Sequence, residues 1–174
     1  MVESFQFLFD RQWASLKRYC HDRDIRLFGD LPIYVAQDSA EVWANRELFY
    51  LDAKGNPTVV SGVPPDYFSE TGQRWGNPLY KWEMMKSRNY AWWAARMKRI
   101  LDLVDLVRLD HFRGFEAYWE VPASEPTAMK GEWKKGPGSD LFTSLEAQLG
   151  TLPVIAENLG VITEEVTDLM AKFG

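Results

Sequence analysis

Three short apolar runs, each ending on an acidic residue and each separated from the next by a helix-forming stretch, restrict this chain more than any other feature. Residues 25–30 (IRLFGD), 103–110 (LVDLVRLD) and 153–157 (PVIAE) read as strands. Residues 5–20 read as an amphipathic helix, with Phe5, Phe9, Trp13, Leu16 and Cys20 at helical spacing. Residues 82–101 read as a second helix and 139–149 as a third, with Ser139 or Asp140 at its N-cap. Thr163 opens a fourth that runs to about residue 173. Alternation of this kind predicts right-handed βαβ units and a parallel sheet. The strands are nearly unbroken in apolar residues, as expected where both faces of a sheet are covered. Doubly wound and barrel arrangements both satisfy the pattern. Asp30, Asp110 and Glu157 all fall at the C-terminal ends of their strands, where a (β/α)8 barrel builds its site. No glycine-rich phosphate loop follows any strand, which counts against nucleotide binding. A whole barrel needs at least about 200 residues; this chain has 174 and is too short to close one.

Between the first strand and the second helix lies a long excursion, residues 31–80, rich in turn residues such as Gly55-Asn56-Pro57 and Gly76-Asn77-Pro78. Residues 111–138 form a second irregular stretch. So long a segment without periodic structure is expected to be a functional loop or lid. A net charge of −5 argues against nucleic acid, which demands clustered Lys and Arg. No stretch approaches the ~20 apolar residues of a membrane span. One cysteine cannot form an internal disulfide, and two histidines cannot build a zinc cluster, so no metal is expected and a reducing, cytoplasmic setting is the simplest reading. Aromatic residues make up 14% of the chain. Large rings dominate core packing, but Trp and Tyr beside loop carboxylates also stack on pyranose faces; composition does not separate the two.

The run Val107-Arg108-Leu109-Asp110-His111 places Arg108 and Asp110 on one face of a strand, because strand side chains alternate. A guanidinium beside a carboxylate is expected to lower its pKa and keep it ionised, as attack on an anomeric carbon requires. A buried ion pair ending the strand fits the same spacing. Glu157 follows four apolar residues, so partial desolvation would move it toward general-acid range; a solvent-facing strand end is the alternative. Adjacent strands lie about 4.8 Å apart, which would bring Asp110 and Glu157 near the roughly 5–5.5 Å of a retaining glycosidase. Residues 62–78 alternate hydrogen-bonding Asp66, Gln73 and Asn77 with the rings of Tyr67 and Trp75, in a backbone stiffened by proline and glycine.

The strings GDLPIYVAQDSAEVW, GVPPDYFSETGQRWGNPLY, VRLDHFRGFEAYWEVP and VIAENLGVIT, in this order, resemble successive signature regions of amylomaltases and plant disproportionating enzymes, the 4-α-glucanotransferases of the α-amylase clan. The resemblance extends over residues 3–174. It implies an α/β fold, a partial (β/α)8 barrel holding about strands three to five with their helices, a single domain over 1–174, and a substrate lid inserted at about 31–80. It implies Asp110 as nucleophile and Glu157 as general acid/base. Arg108 and His111 then support the nucleophile, Asp30 helps hold the site, and Asp66, Tyr67, Gln73, Trp75 and Asn77 contact or frame the sugars. The implied partners are α-1,4-glucans (maltooligosaccharides, starch or glycogen), with no cofactor, nucleic acid or membrane, in the cytoplasm or, for a plant parent, the plastid. The implied reaction moves an α-1,4-glucan segment to the 4-hydroxyl of an acceptor, and the chain alone is expected to be inactive because the family's third carboxylate is not in it. A starch-hydrolysing member of the same clan and a non-catalytic glucan-binding fragment are the alternatives.

Overall fold

The computed structural model describes residues 2–173. In chain order the elements are α1 (Val2–His21), β1 (Phe28–Pro32), α2 (Ala40–Ala44), β2 (Val59–Val63), β3 (Gln73–Pro78), α3 (Trp82–Ser87), α4 (Ala91–Leu103), β4 (Leu106–Asp110), β5 (Ala117–Pro122), β6 (Glu132–Lys135), α5 (Ser139–Leu149), β7 (Val154–Ala156) and α6 (Glu164–Phe173). Single turns of 3-10 helix occupy Arg46–Leu48 and Phe112–Phe115.

The three acid-ended runs do form one parallel sheet, in the order β1-β4-β7. It is open among the described residues: nothing pairs with the outer edges of β1 and β7. β1 begins three residues later than the sequence suggested. Ile25 lies outside it, and the strand continues past Asp30 to Pro32. Only one face of the sheet is covered, contrary to the reading of its apolar runs. Leu31, Val107 and Leu109 are buried, and Gly29 lets α4 come close, since a Cβ there would press on Val104. The opposite face carries Asp30, Arg108 and Asp110 together with Phe28 and Ile155, which are 57% and 49% exposed.

The two stretches read as irregular loops are the larger correction. Residues 59–78 and 117–135 supply four strands that pair as an antiparallel sheet in the order β3-β2-β5-β6. Alternation is hard to see in strands such as QRWGNP, whose glycine and proline lower strand propensity; cross-strand pairing, not local preference, holds them extended. The Cβ of an alanine at position 62 would run into the carbonyl oxygen of Gln73 on the neighbouring strand. Gly62→Ala should therefore lower stability by about 1–3 kcal/mol, read as a reduced urea midpoint with an unchanged slope.

The second helix is broken in two. Asn89 and Tyr90 adopt left-handed backbone angles, with φ of 52° and 51°, between α3 and α4. α5 has the expected span, but its N-cap is Gly138, with no side-chain cap from Ser139 or Asp140. In α1 only Cys20 is buried, while Phe5, Phe9 and Leu16 are exposed. The helix attaches by hydrogen bonds near its C-terminal half instead. Trp13 Nε1 and Lys17 Nζ donate to carbonyls at the C-terminus of α4, at 2.7 Å to Leu103 and 3.1 Å to Leu101.

The aromatic side chains divide almost evenly, with ten buried and eleven exposed among the described residues. Tyr80 is fully buried among Phe49, Trp82, Trp92 and Trp93, and its hydroxyl donates to the carbonyl of Ile33 at 2.7 Å. Burial raises its pKa well above the ordinary tyrosine value. This cluster and the bond to Ile33 dock the end of β3 against the chain leaving β1, so the antiparallel sheet stands over the C-terminal ends of the parallel strands. No described helix is long and apolar enough to cross a membrane.

Candidate active site

The register of the parallel sheet decides which side chains meet. Asp30 pairs with Arg108, and Arg108 with Ile155. Two residues further along, Asp110 and Glu157 therefore lie on the same face as Arg108. Glu157 is one residue beyond β7, but its N–H still donates to Leu109 O at 3.1 Å, which extends the parallel pairing to it.

One guanidinium serves three carboxylates. Arg108 Nη1 donates to Asp30 Oδ1 at 2.7 Å, and Nη2 lies 2.8 Å from Asp110 Oδ1 and 2.9 Å from Glu157 Oε1. The contacting oxygens of Asp110 and Glu157 thus stand no further apart than these last two lengths laid end to end. That upper limit admits the spacing of a retaining pair, about 5–5.5 Å. With three acids around one cation, the cluster carries excess negative charge when all are ionised. Burial and then the charge of Glu157 push the Asp110 pKa above the ordinary aspartate value, and Arg108 offsets only part of this. The expectation that Arg108 would hold Asp110 below that value is therefore reversed, because the second acid and the lost solvent outweigh one shared cation.

β4 ends in a tight turn. His111 has φ of 53°, a left-handed conformation costing about 1–2 kcal/mol for a residue with a Cβ. The turn aims its N–H at Glu157 Oε2, at 2.5 Å. It also buries the imidazole under Trp75, edge to face with centroids 4.8 Å apart. Burial, followed by the charge of Arg113, lowers the His111 pKa to about 4, so the ring is neutral near pH 7. Its Nε2 is buried without a hydrogen-bond partner among the described residues.

Asp110, His111 and Glu157 form the floor of a cleft of about 680 Å³ whose walls come from both long excursions. Asp66, Tyr67, Gln73 and Trp75 line it. Tyr67, 98% exposed, stands at the rim. Asp66 Oδ1 caps its own turn, accepting from the N–H groups of Phe68 and Ser69 at 2.9 and 2.8 Å. Gln73 Oε1 accepts from Trp75 Nε1 at 3.1 Å, fixing the indole over His111. Asn77 does not line the cleft. Its amide donates to Val35 O at 3.1 Å and accepts from Ser61 at 3.2 Å, so it braces β3 against β2 and the chain after β1. Asp30 and Arg108 lie outside the lining and act on the floor from beneath.

Sequence reasoning missed Arg113, Trp133, Leu159 and Val161, which complete the cleft. Arg113 had a signal, a lone cation inside the apolar turn Phe112-Arg113-Gly114-Phe115. Trp133 had none, since only the pairing of β5 with β6 brings it near.

The sequence profile described as 4-alpha-glucanotransferase matches residues 1–174. A 4-alpha-glucanotransferase of Thermus thermophilus is 58% identical over 97% of this chain and 34% of its own length. The chloroplastic/amyloplastic 4-alpha-glucanotransferase DPE1 of Arabidopsis thaliana is 51% identical over 97% of the chain and 29% of its own. Among solved structures, the amylomaltase of Streptococcus agalactiae in complex with acarbose superposes with a TM-score of 0.95 at 45% identity, over 98% of this chain and 34% of that one. The chain therefore spans about a third of the length of such relatives, and it belongs to the 4-alpha-glucanotransferase family.

Proposed function

We propose that these residues carry the nucleophile and the acid/base of a 4-α-glucanotransferase whose activity belongs to a protein of its relatives' length. Several observations support reading β1, β4 and β7 as neighbouring strands of a (β/α)8 barrel, which the family resemblance numbers third to fifth. They are parallel and sequential, their acids share the C-terminal end, and helices cover one face only. The exposed face with Phe28 and Ile155 then looks into the barrel, and residues about 31–80 form the lid. The setting is the cytoplasm, or the plastid in a plant.

In the proposed reaction Glu157 protonates the glycosidic oxygen of an α-1,4-glucan while Asp110 attacks the anomeric carbon. The Glu157 oxygens each accept one hydrogen bond, from Arg108 and from the His111 N–H, and each retains a lone pair that can hold the transferred proton. Glu157 then takes the proton of an acceptor 4-hydroxyl, and the glucanosyl group leaves Asp110. Neutral His111 supports Trp75 from beneath, Tyr67 and Trp75 offer stacking faces, and Asp66 and Gln73 offer hydrogen bonds. The carrying observation is the convergence of Asp110 and Glu157 on one Arg108 nitrogen at the floor of an aromatic cleft.

The test is product chromatography of the full-length protein on maltotriose. Transfer yields both longer and shorter maltooligosaccharides; only shorter ones would make the protein a hydrolase, and an unchanged substrate would leave a binding module. The 174-residue chain alone should yield no products.

A further inference from the structure

The segment that follows Glu157 forms one wall of the cleft through Leu159, Gly160 and Val161, and it is poorly anchored. Among the described residues, a single hydrogen bond reaches residues 158–162, from Arg113 Nη1 to Val161 O at 2.9 Å. Leu159 and Val161 are exposed, and packing reaches the segment only at its far end, where half-buried Ile162 meets the core. Arg113 itself is fixed from the other side. It is 6% exposed, its guanidinium carbon lies 3.9 Å from the centroid of Trp133, and Nη2 is 4.0 Å from Glu116 Oε2. One side chain thus ties three separate pieces of chain: the turn after Asp110, strand β6, and the wall after Glu157.

We propose that Arg113, seated on Trp133, is a positioning residue that holds the Glu157–Val161 wall and thereby sets how glucan transfer competes with hydrolysis. The proposal rests on the transferase reading above and assigns Arg113 no contact with the reacting atoms. Its action runs through two links. The wall begins at Glu157, so freeing Val161 loosens the acid/base. The wall also presents Leu159 and Val161 to the cleft, so freeing it admits water where an acceptor sugar should exclude it. A guanidinium suits the task because it can lie flat on an indole while donating in its own plane, which a lysine ammonium cannot do.

The experiment uses the full-length protein with maltotriose and reads kcat, KM, melting temperature and total reducing ends. Transfer conserves the number of reducing ends, and hydrolysis raises it. Arg113→Met should lower kcat about tenfold or more, with a smaller change in KM, and should raise the hydrolysis-to-transfer ratio severalfold. Arg113→Lys, which can still donate to Val161 O, should recover part of both. Trp133→Ala keeps the bond to Val161 but removes the seat; it should shift the ratio in the same direction and stands in if Arg113→Met does not fold. A lower melting temperature with kcat and the ratio at wild-type values would overturn the proposal, as would a Lys variant no better than Met in both. An active wild type with unaffected variants defeats this inference alone, whereas a wild type that transfers nothing defeats the transferase reading and this with it.

Discussion

Asp110→Asn in the full-length protein should reduce glucan transfer by roughly ten-thousand-fold or more, the scale on which losing a covalent nucleophile acts, and should at the same time raise the melting temperature at pH 7. The two effects share one cause. Burial and the neighbouring Glu157 make the Asp110 anion costly, and its pKa is raised accordingly. Between the unfolded value of about 3.9 and the raised folded value, the native state binds more protons than the unfolded one. Stability therefore falls as pH rises through that window. An asparagine carries no charge and removes the loss. The gain should be fully present above the folded pKa, shrink as pH falls, and vanish below about pH 3.9. Calorimetry of both proteins from pH 3 to 8, with chromatography of maltotriose products, checks both halves. A variant less stable than wild type at pH 7, or one retaining a tenth of the transfer rate, contradicts the assignment of Asp110 as a strained nucleophile.

The second large effect concerns Arg108, the cation that touches Asp30, Asp110 and Glu157 together. Arg108→Met should cost about a thousandfold in transfer, the upper range for removing one electrostatic contact in an active site. The pH profile should move as well. Arg108 is the group that lowers the Asp110 pKa against burial and two acids, so its loss raises that pKa further. The acid limb of kcat/KM should then shift to higher pH, leaving residual activity greatest on the alkaline side. Arg108→Lys restores the charge but not the fork. Nη1 faces Asp30 while Nη2 faces the other two acids, and one ammonium cannot occupy both places. Lysine should accordingly recover much of the pH limb and less of the rate. A Met variant within tenfold of wild type, or an acid limb that stays in place or moves down, would show that Arg108 is only a strand-end ion pair.

How far the chain could be read differs between its two sheets. The parallel strands announce themselves in short Val- and Leu-rich runs, and Arg108, Asp110 and Glu157 fall on one face from the two-residue period of a strand and the strand-end positions of the acids. Residues 59–78 and 117–135 carry no such period. Their glycines, prolines and mixed side chains are compatible with strand only when neighbours supply the hydrogen bonds, so they looked like loops. The break at Asn89 and Tyr90 was hidden for a related reason: α3 and α4 share apolar spacing, and the left-handed residues between them are neither glycine nor proline.

The sequence by itself determined which residues carry charge at the strand ends and that those strands run parallel, because both follow from local spacing and from the handedness of the connections. Only the tertiary structure decided that three acids share one guanidinium, that Asp110 is harder to ionise than an ordinary aspartate, and that Arg113 reaches Trp133 and Val161. Desolvation and Coulomb interaction depend on distance in space, and side chains 20 to 78 positions apart in the chain acquire that distance only when the sheets pair.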